Sequence, residues 1–159
     1  MNPQSPLLTP AARRVLVTGA DGFVGRSVVK ALAQQPGIEA VFAQDVREVP
    51  TDRRVAGVMY QVQDVRAPSL VDSMAAGQID TVVHLASIVT PGKDSNRAFE
   101  YSVDVDGTRN VLNACVHGGV RHVVVSSSGA AYGYHADNPA WLTESDALRG
   151  NEVLAYAHH

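Results

Sequence analysis

The stretch Val15-Leu16-Val17-Thr18-Gly19-Ala20-Asp21-Gly22-Phe23-Val24-Gly25 decides how the rest of the chain is read. Its apolar start has the length of a buried strand, and three glycines come after it, Gly19, Gly22 and Gly25. Beyond them Val24, Val28 and Leu32 recur at helical spacing, so the order predicted is strand, glycine turn, helix. Each glycine has a physical task in that order. A side chain at Gly19 would obstruct the tight turn, and one at Gly22 would hold a pyrophosphate at a distance. The missing side chain at Gly25 lets the helix pack on the strand. At the helix start, around Phe23 and Val24, unpaired N–H groups and the positive end of the helix dipole face an anion.

Glycines at this spacing are a weak signal alone, and the next strand strengthens it. Ala40-Val41-Phe42-Ala43 reads as that strand and leads to Asp45 and Val46, about twenty residues past Gly25. A dinucleotide fold places there the acid that holds the adenosine ribose hydroxyls. Asp45 accepts hydrogen bonds from a free 2′-hydroxyl and repels a 2′-phosphate, which favours NAD over NADP. Arg47, two residues on, offsets part of that repulsion.

The bulk properties bound the rest. With 159 residues the chain is long enough for one domain with a sizeable core. Residues 1–12 read as a loose leader and 13–159 as the dinucleotide-binding domain. A composition 45% hydrophobic and 18% charged is globular, and a net charge of −3 points to no nucleic-acid or membrane-surface partner. The single Cys115 excludes an internal disulfide and fits a cytoplasmic location. None of the six histidines stands at metal-ligand spacing, so no metal is expected. The absence of G-K-[ST] after the glycine turn argues against a nucleoside triphosphatase, and no G-x-S-x-G elbow is present.

Further along, Val58 to Val62 reads as a third strand ending in Gln63-Asp64-Val65, with a short helix after it from about Pro68 to Ala76. Thr81 to Ala86 is a fourth strand, residues 91–94 a turn, and a long helix runs from about Ser95 to Val116. That helix is expected to set Val105, Leu112 and Cys115 on one face and to stop at Gly118-Gly119. His122 to Ser126 is the fifth strand. Strands alternating with helices predict a doubly wound parallel α/β sheet of order 3-2-1-4-5, with its crevice at the carboxyl ends of strands one and four. Gly107, unfavourable in a helix by about 1 kcal/mol relative to Ala, suggests close backbone packing.

These residues resemble the extended short-chain dehydrogenase/reductases, also called the NAD-dependent epimerase/dehydratase family. The resemblance runs from Val15 to His159. It is carried by Thr18 to Gly25, Asp64-Val65, His84-Leu85-Ala86-Ser87, Asp104 to Leu112, Ser126 to Gly133, Thr143-Glu144 and Tyr156. It implies a Rossmann-type fold in which Asp64 and Val65 lie against adenine. The backbone through Leu85, Ala86 and Ser87 then passes the pyrophosphate and ribose, with Ser126 beside it. It also implies that Ser128 holds the reacting oxygen, and that Tyr156 contacts the cofactor and acts as the acid/base. The chemistry asks for such groups: a hydride leaves a carbinol carbon only if the hydroxyl proton leaves with it. A phenol near pKa 10 needs a neighbouring cation for that task.

The family's lysine would fall at residue 160, one past His159. The sequence therefore looks like the amino-terminal part of an enzyme, truncated before later strands and a substrate-binding region. On that reading the 159 residues alone are not expected to turn over substrate, and strand five presents an open edge. A homodimer through the long helix and the tyrosine helix is implied by the family, in altered form here. Asp104 stands where the family usually carries Asn, and an ionised carboxylate cannot donate a hydrogen bond. The segment Tyr134 to Asp146, with Trp141, is equally readable as a substrate cover or an ordinary surface loop.

The function expected of the parent protein is hydride transfer between nicotinamide and a nucleotide sugar or related hydroxyl substrate. The alternatives are a reductase or dehydrogenase of steroid-like or other secondary alcohols, and a non-catalytic NAD(P)-binding sensor or interaction module.

Overall fold

A computed structural model describes residues 13–89, 93 and 96–158. The expected leader, His159 and most of the turn at 91–94, together with Ser95, lie outside the described residues. The sheet has five strands in the order β3-β2-β1-β4-β5: β1 Arg13–Thr18, β2 Ile38–Asp45, β3 Met59–Val62, β4 Thr81–His84 and β5 His122–Val125. All four pairings are parallel, so all five strands bring their carboxyl ends to one side. The predicted order is the observed one.

Side chains alternate across β1, and the two faces of the sheet carry separate cores. Val15 and Val17 join Val41, Ala43 and Val29 on one face, under helix α1 (Phe23–Ala33). Leu16 joins Phe42 and Val82 on the other, under α2 (Leu70–Ala76) and α4 (Thr108–His117). Leu16 is almost wholly buried, so trimming it to Ala leaves a cavity costing about 2–5 kcal/mol.

Two helices differ from the spacing argument. In α1 the deeply buried positions are Gly25 and Val29, with Val28 and Leu32 beside them, and Val24 is exposed. The close approach at Gly25 turns that stripe toward the sheet. The expected helix at 95–116 is α3 (Arg97–Tyr101), a π turn (Ser102–Gly107) and α4 in succession. A π turn inserts an extra residue and rotates the helix beyond it. The buried face of α4 is therefore Val111, Ala114 and Cys115, while Leu112 is exposed. Gly107 lies in that turn, and a Cβ there would come within 2.7 Å of the Val65 side chain. That is the close packing its presence suggested.

Candidate active site

The glycine turn sits where β1 ends. Gly19 has φ +65°, and a Cβ on it would meet the Ala86 backbone at 2.8 Å. Two backbones thus pass at a distance only glycine permits. A Cβ at Gly25 would overlap the Gly19 carbonyl oxygen, so Gly25 packs the helix rather than facing the cleft. No side chain caps the start of α1 at Gly22, and its first turn holds no acid. The Phe23 side chain is 86% exposed, Val24 is exposed too, and neither lines the lobes described below. The Asp21 amide donates to Asp45 Oδ2 at 3.0 Å, and Arg53 pairs with the Asp21 carboxylate at 2.9 Å. The turn is held from β2 and from the segment after it.

A lobe of about 330 Å³ opens beside the turn, between Gly19 and Gly22, Asp45 to Arg47, Asp64 to Arg66, and the segment after β4. Asp45, Val46, Asp64, Val65, Leu85, Ala86 and Ser87 all line it. The Arg66 guanidinium bonded to Asp64 holds that carboxyl below its ordinary 3.8.

The segment after β4 is gripped from two sides. Thr18 Oγ1 accepts the amides of Leu85 and Ala86 at 3.2 and 3.3 Å, and Asp104 Oδ1 accepts the Ile88 amide at 2.8 Å. Asp104 is thus a backbone anchor, a role open to the carboxylate because it only accepts. Thr18 and His84 are register partners on β1 and β4, both buried. The Thr18 oxygen spends its lone pairs on two amides, so its proton goes to His84 Nδ1, 2.7 Å away. Nδ1 is then the acceptor, and Nε2–H donates to Thr108 Oγ1 at 2.9 Å. This assigns a neutral imidazole. Burial pushes the His84 pKa below its ordinary 6.5, against a weaker upward pull from Asp104.

A second lobe of about 300 Å³ lies between the ends of β4 and β5 and shares Ala86 and Ser87 with the first. Ser126, Ser128 and Tyr156 line it together with His84, Asp104 and Thr108. The two residues predicted to act on substrate are therefore brought to one lobe from 28 positions apart. Ser128 caps a short 3-10 turn (Gly129–Tyr132), its Oγ accepting the Ala130 amide at 3.2 Å. Tyr156 stands on the four-residue helix α5 (Ala155–His158) and is 41% exposed. Trp141 is 88% exposed and lines neither lobe. Among the described residues, no cluster of His, Cys, Asp and Glu could hold a metal ion, and no helix is long and apolar enough to cross a membrane.

Sequence reasoning gave no site role to Thr18, His84, Thr108, Arg66 or Phe99. Polar side chains facing each other at the ends of two central strands were the available signal for Thr18 and His84.

Comparison with known proteins fits this geometry. The 3-beta hydroxysteroid dehydrogenase/isomerase family matches residues 16–158. A UDP-glucose 4-epimerase of Azospirillum brasilense is 35% identical over 127 residues, which cover 79% of this chain and 36% of that protein. A 3-beta-hydroxysteroid dehydrogenase of Mycolicibacterium neoaurum is 30% identical over 156 residues, 95% of this chain and 39% of that protein. Among solved structures, UDP-glucose 4-epimerase from Brucella ovis in complex with NAD superposes with a TM-score of 0.77 at 27% identity, covering 92% of this chain and 44% of its own. The chain thus spans less than half the length of these relatives. With a parallel 3-2-1-4-5 sheet, a glycine turn and the serine and tyrosine motifs in order, the chain belongs to the 3-beta hydroxysteroid dehydrogenase/isomerase family of extended short-chain dehydrogenase/reductases.

Proposed function

We propose that this chain is the NAD-binding portion of an oxidoreductase or epimerase that transfers hydride at a hydroxyl-bearing carbon. One observation carries the reading: two lobes of one cleft meet at Ala86 and Ser87, with Asp45 at one end and Ser128 and Tyr156 at the other. The residues fit a dinucleotide, since Gly19 and Gly22 line the first lobe without side chains and the helix end behind them is uncapped.

In this reading the turn at Gly22 and the amides of Phe23 and Val24 bind the diphosphate, Asp45 and Val46 the adenosine ribose, and Asp64 and Val65 the base. Leu85, Ala86, Ser87 and Ser126 line the path of the molecule into the second lobe. Bound NAD supplies a hydride acceptor. Ser128 Oγ, having accepted one amide, keeps its proton and a lone pair for the reacting oxygen. Tyr156 exchanges a proton with that oxygen and touches the nicotinamide ribose. The Thr18–His84–Thr108 chain holds the backbone that separates the lobes.

For the substrate, a nucleotide sugar is supported by the epimerase relative, and a steroid-like secondary alcohol by the family match and the dehydrogenase relative. Calorimetric titration with NAD and NADP tests the cofactor. The unmodified chain should bind NAD more tightly, and Asp45→Ala should weaken NAD binding about tenfold and narrow the preference. Tighter NADP binding by the unmodified chain would overturn the assignment.

A further inference from the structure

We infer that Arg66 is the positioning residue that makes the base end of the cleft select an exocyclic amine over a carbonyl oxygen. The inference rests on the dinucleotide reading and goes past it, from which residues line the base site to what aims them. Arg66 is wrapped around Asp64: its amide and Nε donate to Oδ1 at 2.8 and 3.0 Å, and Nη2 donates to Oδ2 at 2.6 Å. Nε also leans toward Oδ2 at 3.2 Å. A carboxylate has about four acceptor positions, so roughly one remains, on Oδ2.

The guanidinium is itself fixed. Nη1 donates to Ser102 Oγ at 2.9 Å, and the group lies 5.1 Å from the centre of the Phe99 ring. Ser102 donates in turn to the Phe99 carbonyl at 2.7 Å. Asp64, Arg66 and Phe99 all line the first lobe. The backbone on either side is held independently, by Asn110 Nδ2 donating to the Val65 and Ala67 carbonyls at 2.7 and 3.0 Å. Arg66 therefore orients a side chain in a wall that stands without it.

The selectivity comes from the charge left over. An ionised, immobile carboxylate with one free acceptor position welcomes an N–H donor and repels a lone pair. Adenine offers an amine at that edge; hypoxanthine offers a carbonyl oxygen. Without the guanidinium, Asp64 keeps only the backbone amide on Oδ1, Oδ2 is left to water, and the distinction fades.

The test is calorimetric binding of NAD and of nicotinamide hypoxanthine dinucleotide to the unmodified chain, Arg66→Ala, Arg66→Lys and Ser102→Ala, with thermal melts alongside. The unmodified chain should prefer NAD by about tenfold, and Arg66→Ala should bring the ratio to within about twofold, chiefly by losing NAD affinity. Arg66→Lys keeps the charge but not the planar fork and should recover only part of the ratio. Ser102→Ala leaves the Asp64 pair intact and should move the ratio the same way by less, which covers the case of a poorly folded Arg66→Ala. A ratio unchanged in both Arg66→Ala and Ser102→Ala overturns the proposal and leaves the cleft reading standing. An unmodified chain that binds neither dinucleotide overturns the cleft reading, and the proposal with it.

Discussion

The two lobes of the cleft are built to different standards. The first lies over the ends of β1 and β2, where Val15 to Thr18 and Val41 to Gln44 are all buried. Its charged groups are tied down: Asp21 to Arg53, Asp45 to two amides, Asp64 to Arg66. The second lies against β5, whose Val123, Val124 and Val125 are all exposed on the sheet edge. There Ser128 is bonded within its own turn, and Tyr156 rides a single helical turn. Within the described residues, packing on both faces of the sheet supports the proposed binding half, while Ser128 and Tyr156 in the proposed chemical half follow an edge strand held by one ladder. Substitutions of the buried residues under the first lobe should therefore cost stability, and those at Ser128 and Tyr156 should not.

The strongest way to break that contrast is at Gly25. A methyl group there overlaps the Gly19 carbonyl and comes within 2.9 Å of the Ala20 backbone, atoms that move only if the turn moves. Gly25→Ala should destabilise the chain by about 3 kcal/mol, the upper end of ordinary overpacking. Ser128→Ala should stay within about 1 kcal/mol, since it removes one local, half-buried hydrogen bond. Urea unfolding with the slope checked for constancy measures both. Equal losses in the two variants would show that the halves are equally well packed.

The same contrast explains what was legible in the sequence. The sheet order and the glycine turn are local patterns: strand length, helical spacing, three glycines and one acid at fixed offsets. Asp45, Asp64 and Ser87 each lie at or just past the end of a strand, so naming the strands located them. The π turn was not legible, because nothing in the periodicity from Ala98 to Val116 marks where the helix takes its extra residue. Leu112 was misplaced for the same reason. Nor does spacing reveal that His84 bridges Thr18 and Thr108, residues 66 and 24 positions away that only the folded sheet brings together.

His84 sharpens the comparison at an intermediate size, because it stands between the lobes. Its folded pKa is below 6.5, so in the window just under 6.5 the unfolded chain binds a proton that the folded chain refuses. Stability then falls as pH falls, by up to about 1.4 kcal/mol per pH unit. Asp64 and Asp80 have pKa values lowered from 3.8, so their contribution is present above that and lost only below it. A decline that begins just below pH 6.5, above the range of Asp64, Asp80 and Asp137, is therefore assigned to His84. His84→Gln should be less stable at about pH 8 and should lack that slope. A slope retained in the variant would place the titrating group elsewhere and remove the neutral tautomer from the central segment.

The smallest expected effect is at Tyr156. If the binding half works alone, a half-exposed phenol on a single turn of helix adds little to holding the cofactor. One neutral hydrogen bond to a ribose hydroxyl, largely matched by water, is worth about a factor of two. Tyr156→Phe should therefore shift the NAD dissociation constant about twofold, against about tenfold for Asp45→Ala, with the melting curve unchanged. A tenfold loss at Tyr156 would mean that the second lobe grips the dinucleotide as firmly as the first. The division into a binding half and a chemical half would then be a difference in burial only, with no counterpart in affinity.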